Sequence, residues 1–253
     1  MVVRGESQLI QELERLQETL SLREREAAAK ERQLERYAAD LRETFKRERE
    51  QAQELRRSYT ATVRALSNAV EARDAYTGKH AERVTAYGME IARTLGLRLS
   101  EMPELEFGFL LHDIGKVAIP DAILYKPGAL TDEERALMAQ HPVIGAQIVH
   151  GIEFLEGAVQ VVRSHHERWD GNGYPDGLAG EEIPLSARVF AVADVLDALT
   201  SDRPYRPASK MSVAREMITA ESARQFDPGV IDVFDSIDDH TFQRIAAEID
   251  EDD

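Results

Sequence analysis

The stretch Phe107-Gly-Phe-Leu-Leu-His-Asp-Ile-Gly-Lys116 decides how this chain is read. An apolar run closes on an imidazole and a carboxylate, and a lysine follows one turn later. A charged Asp in apolar surroundings is costly unless it is paired or binds a metal. The same conflict recurs at Asp194, inside Phe190-Ala-Val-Ala-Asp-Val195. Other histidines stand in structured or acidic company: His80 after Thr77-Gly78, His141 in Gln140-His-Pro-Val-Ile-Gly145, and His165-His166-Glu167 before Trp169-Asp-Gly-Asn-Gly-Tyr-Pro175. Each has an ordinary reading alone. Asp194 could cap a neighbouring helix, His141 could end one, and His112-Asp113 could be an incidental pair. Together they point to a metal centre, because imidazole and carboxylate suit Fe, Mn or Zn. Two such ions close together suit hydrolysis of a phosphodiester. Adjacent His165 and His166 would point about 100° apart on a helix, which suits ligands to two different ions.

Around these segments the texture is helical. Apolar periodicity predicts helices over about 61–75, 79–95, 102–113, 131–150, 154–167, 185–200, 209–222, 227–236 and 240–248. Thr131-Asp-Glu-Glu134, just after Pro127 and Gly128, reads as a helix start. There is no convincing alternating strand, so the globular part is expected to be all-α, with the His and Asp residues at helix–loop junctions. The tail Glu248-Ile-Asp-Glu-Asp-Asp253 is expected to be frayed and solvated.

The N-terminal part is different. Residues 6–77 contain no Gly and no Pro and are rich in strong helix formers. Leu9, Leu13, Leu16 and Leu20 begin a 3-4 spacing that runs through Ala27, Leu34, Tyr37 and Leu41 and resumes at Leu55. That is a heptad seam. Arg23, Lys30, Glu48 and Gln51 interrupt it, while Phe45, Ala52, Tyr59 and Val63 suggest a shifted frame. The expectation is a parallel coiled-coil homodimer, with a single solvated helix laced by Glu–Arg pairs as the alternative. The domain reading is 1–64 coiled coil, 65–240 globular domain and 241–253 acidic tail.

Charge and composition exclude several classes. The 253 residues carry a net charge of −16. Residues 1–60 balance 13 Lys/Arg against 13 Asp/Glu, so the whole excess lies beyond them. An acidic domain repels phosphate at a distance and is a poor general binder of DNA or anionic membrane. A small phosphorylated ligand is still accommodated if metal ions or local Lys/Arg invert the field in a pocket. The chain has no cysteine, which excludes disulfides, Cys-based zinc sites and a Cys nucleophile. There is no apolar run of membrane-spanning length and no signal-peptide pattern. A cytoplasmic location is expected.

From about residue 65 to 238 the chain closely resembles the HD-GYP family of HD-superfamily phosphodiesterases. The matching segments are Asp74-Ala-Tyr-Thr-Gly-Lys-His80, His112-Asp-Ile-Gly-Lys116, Ile119-Pro-Asp-Ala-Ile-Leu-Tyr-Lys-Pro-Gly128 and His141-Pro-Val-Ile-Gly145. They continue with His165-His-Glu-Arg-Trp-Asp-Gly-Asn-Gly-Tyr-Pro175 and Ala193-Asp-Val-Leu-Asp-Ala-Leu-Thr-Ser-Asp-Arg-Pro-Tyr-Arg206. The resemblance implies an HD-superfamily helical bundle and hydrolysis of cyclic di-GMP to linear pGpG or on to GMP. It implies His80, His112, Asp113, His141, His165, His166 and Asp194 as ligands of two divalent metals, with Asp113 bridging them. Fe or Mn are expected, and Zn or Ni also suit the donors. By the same resemblance Lys116, Arg203 and Arg206 contact the substrate, with Asp113 and Lys116 in the catalytic role. Arg suits bidentate grip on phosphate or a guanine edge. The ordinary reading of Arg203 and Arg206 is a loop salt bridge. Asp197, one turn after Asp194, could orient a ligand from behind.

Some family members carry a third metal on a Glu four residues before the first ligand His. Here that position is Tyr76, so a two-metal site yielding mainly pGpG is expected. Glu71 and Asp74 lie nearby but are not expected to substitute. Gly173-Tyr174-Pro175 is expected to shape its loop or to dock a partner such as a diguanylate cyclase, and Trp169 to pack. His150 and His240 match no motif. Residues 119–128 could form a lid. The coiled coil suggests control by a sensor partner. Competing readings are a non-catalytic cyclic di-GMP receptor and a phosphodiesterase for another cyclic dinucleotide.

Overall fold

The computed structural model describes residues 2–73, 79–99, 102–202 and 206–251. The chain divides into two compact units, Met1–Tyr59 and Thr60–Asp253. Helix α1, Val2–Glu71, takes in Gly5 and most of the long run without Gly or Pro. In the first unit Leu9, Leu13, Leu16, Leu20, Leu34, Tyr37, Leu41, Phe45 and Leu55 all stand exposed on it. The single chain offers these side chains no apolar cover.

The second unit is all-helical, with no strand among the described residues beyond an isolated bridge between Ser222 and Phe226. Its first element is the end of α1, where Val63, Ser67 and Val70 are buried at a spacing of one helical face. There follow α2 (His80–Thr94), α3 (Pro103–Leu110) and a 3₁₀ turn at Ile114–Ala118. Next come α4 (Asp121–Leu124), α5 (Asp132–Met138) and α6 (His141–Val149). After a second 3₁₀ turn at Glu153–Ala158 come α7 (Val159–Ser164) and α8 (Leu185–Thr200). The unit closes with α9 (Met211–Thr219), α10 (Pro228–Ser236) and α11 (Asp239–Glu251). The central pair is α2 along α8. Tyr87 and Ile91 of α2, Phe109 of α3, Phe190 and Leu196 of α8, and Phe234 and Phe242 form one continuous core.

Several predicted helices are shorter or split. The one expected at 131–150 breaks into α5 and α6 at the Gln140-His141-Pro142 junction. Its start behaves as predicted: Thr131 and Glu134 form a reciprocal capping box. The helix expected at 102–113 ends at Leu110, so His112 and Asp113 sit in a turn. Up to Glu251 the C-terminal segment is helical and not frayed as expected, while 252–253 lie outside the described residues. Phe242, buried against Tyr87 and Phe234, anchors the start of α11, and Lys79 Nζ donates to the Ile249 carbonyl near its end.

Candidate metal centre

Two glycines explain why these segments meet. A side chain on Gly115 would lie 1.9 Å from the His141 carbonyl oxygen and 2.6 Å from Gly145 N. Only backbone-to-backbone contact fits there, and it seats the turn carrying Asp113 against the start of α6. The result is a cavity of about 370 Å³ whose lining includes His80, His112, Asp113, Lys116, His141 and Asp194.

The ligand-type side chains fall into two groups. One is Asp113, His141, His165 and His166; the other is His80, His112 and Asp194. His165 and His166 therefore share a group rather than dividing between two. The reason is local: α7 stops at Ser164, so the pair lies in a turn and not on a helix. Asp113 stands between the groups. Its Oδ1 is 3.2 Å from His141 Nε2, and its Oδ2 is 3.1 Å from His112 Nε2 and 2.8 Å from Lys116 Nζ. Asp194 Oδ1 lies 3.4 Å from His80 Nε2. Asp194 is half-buried and faces the cavity, not a neighbouring helix end.

The ring orientations are set from behind. His112, His141 and His165 each place Nδ1 at 2.8–2.9 Å from the carbonyl three residues earlier, of Phe109, Met138 and Val162. Those nitrogens must donate, so a neutral ring turns its Nε2 lone pair inward. His80 Nδ1 is held instead by Asp197 Oδ2 at 2.7 Å. Asp197 is buried and also accepts from Arg83 Nε at 2.6 Å and Ser201 Oγ at 3.1 Å. The expectation that Asp197 lies behind the ligands matches this arrangement.

The electrostatics favour a cation. Burial alone would raise the Asp113 carboxyl, but Lys116 and His112 hold it well below the usual carboxylate range. Burial keeps His165 neutral far below its ordinary value, and burial with neighbouring His141 pushes His166 down to about 3. His141 Nε2 and His165 Nε2 face each other at 3.2 Å, and Asp113 Oδ1 is buried without a hydrogen-bond partner among the described residues. Converging lone pairs around an orphaned carboxylate oxygen fit a bound divalent ion, and they are poorly satisfied by protein alone.

Other predicted residues lie apart. Arg206 donates to the Ala198 carbonyl near the end of α8 and is not among the described residues lining the cavity. Arg203 and Tyr76 lie outside the described residues. His150 is exposed beside Glu156. Two residues take places in the site that the sequence reading did not give them. Tyr174 lines the cavity with its ring 4.7 Å from that of His166; burial and the Asp113 charge push its phenol up to about 12, so it is neutral. Glu167 is buried and accepts from the N–H groups of Asp176, Gly177 and Leu178 at 2.7–3.2 Å. It shapes the loop that carries Tyr174. Its signal was a lone acid followed by a Gly-rich loop whose amides need an acceptor.

Residues 64–230 match the family described as HD domain, and the chain belongs to that family. Within it, the His112-Asp113 and Gly173-Tyr174-Pro175 segments carry the HD-GYP signature. The cyclic di-GMP phosphodiesterase response regulator RpfG of Xanthomonas campestris pv. campestris is 42% identical over 218 residues, covering 84% of this chain and 55% of that protein. The 3'3'-cGAMP-specific phosphodiesterase 2 of Vibrio cholerae is 41% identical over 182 residues, covering 71% of this chain and 35% of that protein. The chain thus spans only part of the length of these relatives. The solved structure of a cyclic GMP-AMP-specific phosphodiesterase of V. cholerae, V-cGAP3, shares the fold at TM-score 0.55 and 22% identity, over 73% of this chain and 52% of that one. No helix among the described residues is long and apolar enough to cross a membrane.

Proposed function

We propose that this chain is a two-metal phosphodiesterase that hydrolyses cyclic di-GMP to linear pGpG. The observation that carries it is the pairing of two ligand groups in one cavity around a single carboxylate, with Lys116 beside it. His141, His165, His166 and Asp113 would hold one ion and His80, His112 and Asp194 the other, with Asp113 standing between the two groups. Fe or Mn suit this donor set, and Zn or Ni are compatible with it. Bound divalent ions would supply Lewis acidity toward a phosphoryl oxygen and acidify a water. The protein's own part is to orient. Backbone carbonyls and Asp197 fix the rings, Asp113 stays anionic, and Lys116 places a cation where phosphate charge develops. Arg203 and Arg206 remain candidate substrate contacts by resemblance. For Arg206 this requires release from the Ala198 carbonyl.

The exposed heptad stripe of the first unit supports a homodimer through a parallel coiled coil, on which a sensor partner would act. A diguanylate cyclase is the partner that the Gly173-Tyr174-Pro175 loop would dock. A second reading, hydrolysis of 3'3'-cGAMP, is favoured by the names of relatives at about the same identity. The test is product analysis after anaerobic loading with Fe(II) or Mn(II), with cyclic di-GMP and 3'3'-cGAMP in competition. Preferential conversion of cyclic di-GMP to pGpG is expected. Metal-full protein that binds the dinucleotide without turnover would leave a receptor.

A further inference from the structure

Helix α2 begins at the ligand His80 and has no side-chain cap from the residue before it. Lys79 occupies that position with a left-handed backbone, φ 61°. The first N–H groups of a helix need outside acceptors. Ala81 N–H finds one in Glu71 Oε1, at 2.6 Å. Glu71 lies on the last turn of α1 and lines the cavity, yet it belongs to neither ligand group. A carboxylate in this place caps the helix and is favoured by its dipole.

The end of α1 and the two residues after it reach the other ligand-bearing elements. Ser67 Oγ donates to the Leu110 carbonyl at 2.7 Å, two residues before His112. Arg73 donates to the Val117 carbonyl, next to Lys116, and to Asp121 Oδ1, each at 2.7 Å. Arg64 pairs with Glu82 of α2 and Glu106 of α3. Among these contacts Glu71 is the one that grips the residue beside a ligand.

We propose that Glu71 is a positioning residue for the metal centre: by capping α2 at Ala81 it fixes the direction of His80. The proposal rests on the two-metal reading. His80 is then held at two points, its ring by Asp197 and its main chain by Glu71. Without Glu71 the first turn of α2 frays, while Val84, Tyr87 and Ile91 keep the rest of the helix in the core. The effect is local to the ion held by His80, His112 and Asp194.

The test is calorimetric titration of Mn(II) into the full chain, with thermal unfolding of the same samples. Glu71→Ala is expected to leave one Mn(II) unchanged and to weaken the other by ~10- to 100-fold, the range for groups behind a ligand. Glu71→Gln keeps an oxygen acceptor and is expected to stay within about 3-fold of the unmodified chain. Exchange of the Ala81 amide in the metal-free protein speeds up in Glu71→Ala. Equal Mn(II) affinities in Glu71→Ala and the unmodified chain overturn the proposal, as does Glu71→Gln binding as weakly as Glu71→Ala. If Glu71→Ala does not fold, Glu71→Asp, one methylene shorter, decides: it binds the second ion more weakly than Glu71→Gln, and the reverse order overturns the proposal. An unmodified chain that binds fewer than two Mn(II) overturns the two-metal reading and the proposal with it. Two normal sites with an indifferent Glu71 overturn the proposal alone.

Discussion

At the scale of the residue, the account turns on Asp113. One carboxylate oxygen faces His141 and the other faces His112 and Lys116, so no neutral side chain replaces it. Asp113→Asn is isosteric and is expected to lower kcat by ~100-fold or more, beyond the usual loss for a group behind a ligand. Steady-state kinetics on metal-reconstituted protein, with circular dichroism to show an intact fold, checks this. The ligand-type residues were legible in the sequence because each sits in a short segment of fixed order. Arg206 was not legible in the same way. Its place depends on how the chain leaves α8, and there it satisfies a helix-end carbonyl instead of facing the cavity. Glu71 was set aside because helical spacing alone hides a bond to a residue ten positions later, in the next helix.

At the scale of the element, the loop after His166 shows how buried polar groups define shape. Glu167 satisfies three loop amides, and Gly173 packs so closely on residues 167 and 168 that a side chain would lie 2.4 Å from Arg168 N. Glu167→Ala is expected to destabilise the fold by about 2–3 kcal/mol, the cost of unpaired buried amides, and Glu167→Gln by roughly half of that; urea unfolding measures both. Farther along the loop, Arg168 and the Asn172 amide lower the Asp170 carboxyl from 3.8 to about 2. Its folded value is depressed, so its contribution is present above the unfolded pKa and is lost as pH falls through about 2. A carboxyl carbon NMR titration should place the Asp170 midpoint near 2, and a midpoint near 3.8 would remove the tie to Arg168. The helices themselves were legible where apolar spacing is long and uninterrupted, as in α2 and α8. The break before α6 carried a local signal in Pro142, which sits in the first turn of that helix; the end of α3 at Leu110 did not, because the turn that follows is seated by Gly115 against α6.

At the scale of the whole molecule, two properties follow from sequence pattern and coordinates together. Leu13, Leu16 and Leu20 are each more than half exposed in the single chain, an arrangement that a second helix would cover. Replacing all three with Lys is expected to convert a dimer to a monomer in light scattering. An unmodified chain that is already monomeric would remove the coiled-coil reading. The acidic balance and the metal-ligand residue types were legible from the sequence; how those residues divide into two groups at one cavity was not, because it depends on how turns from separate helices meet.

The most direct measurement is turnover of cyclic di-GMP as a function of bound metal. Fe(II) or Mn(II) is added stepwise to the metal-free chain under anaerobic conditions, and pGpG formation is read beside ions bound per chain. The account predicts little turnover at one ion per chain and a steep rise as the second binds. Full turnover at one ion per chain would contradict it.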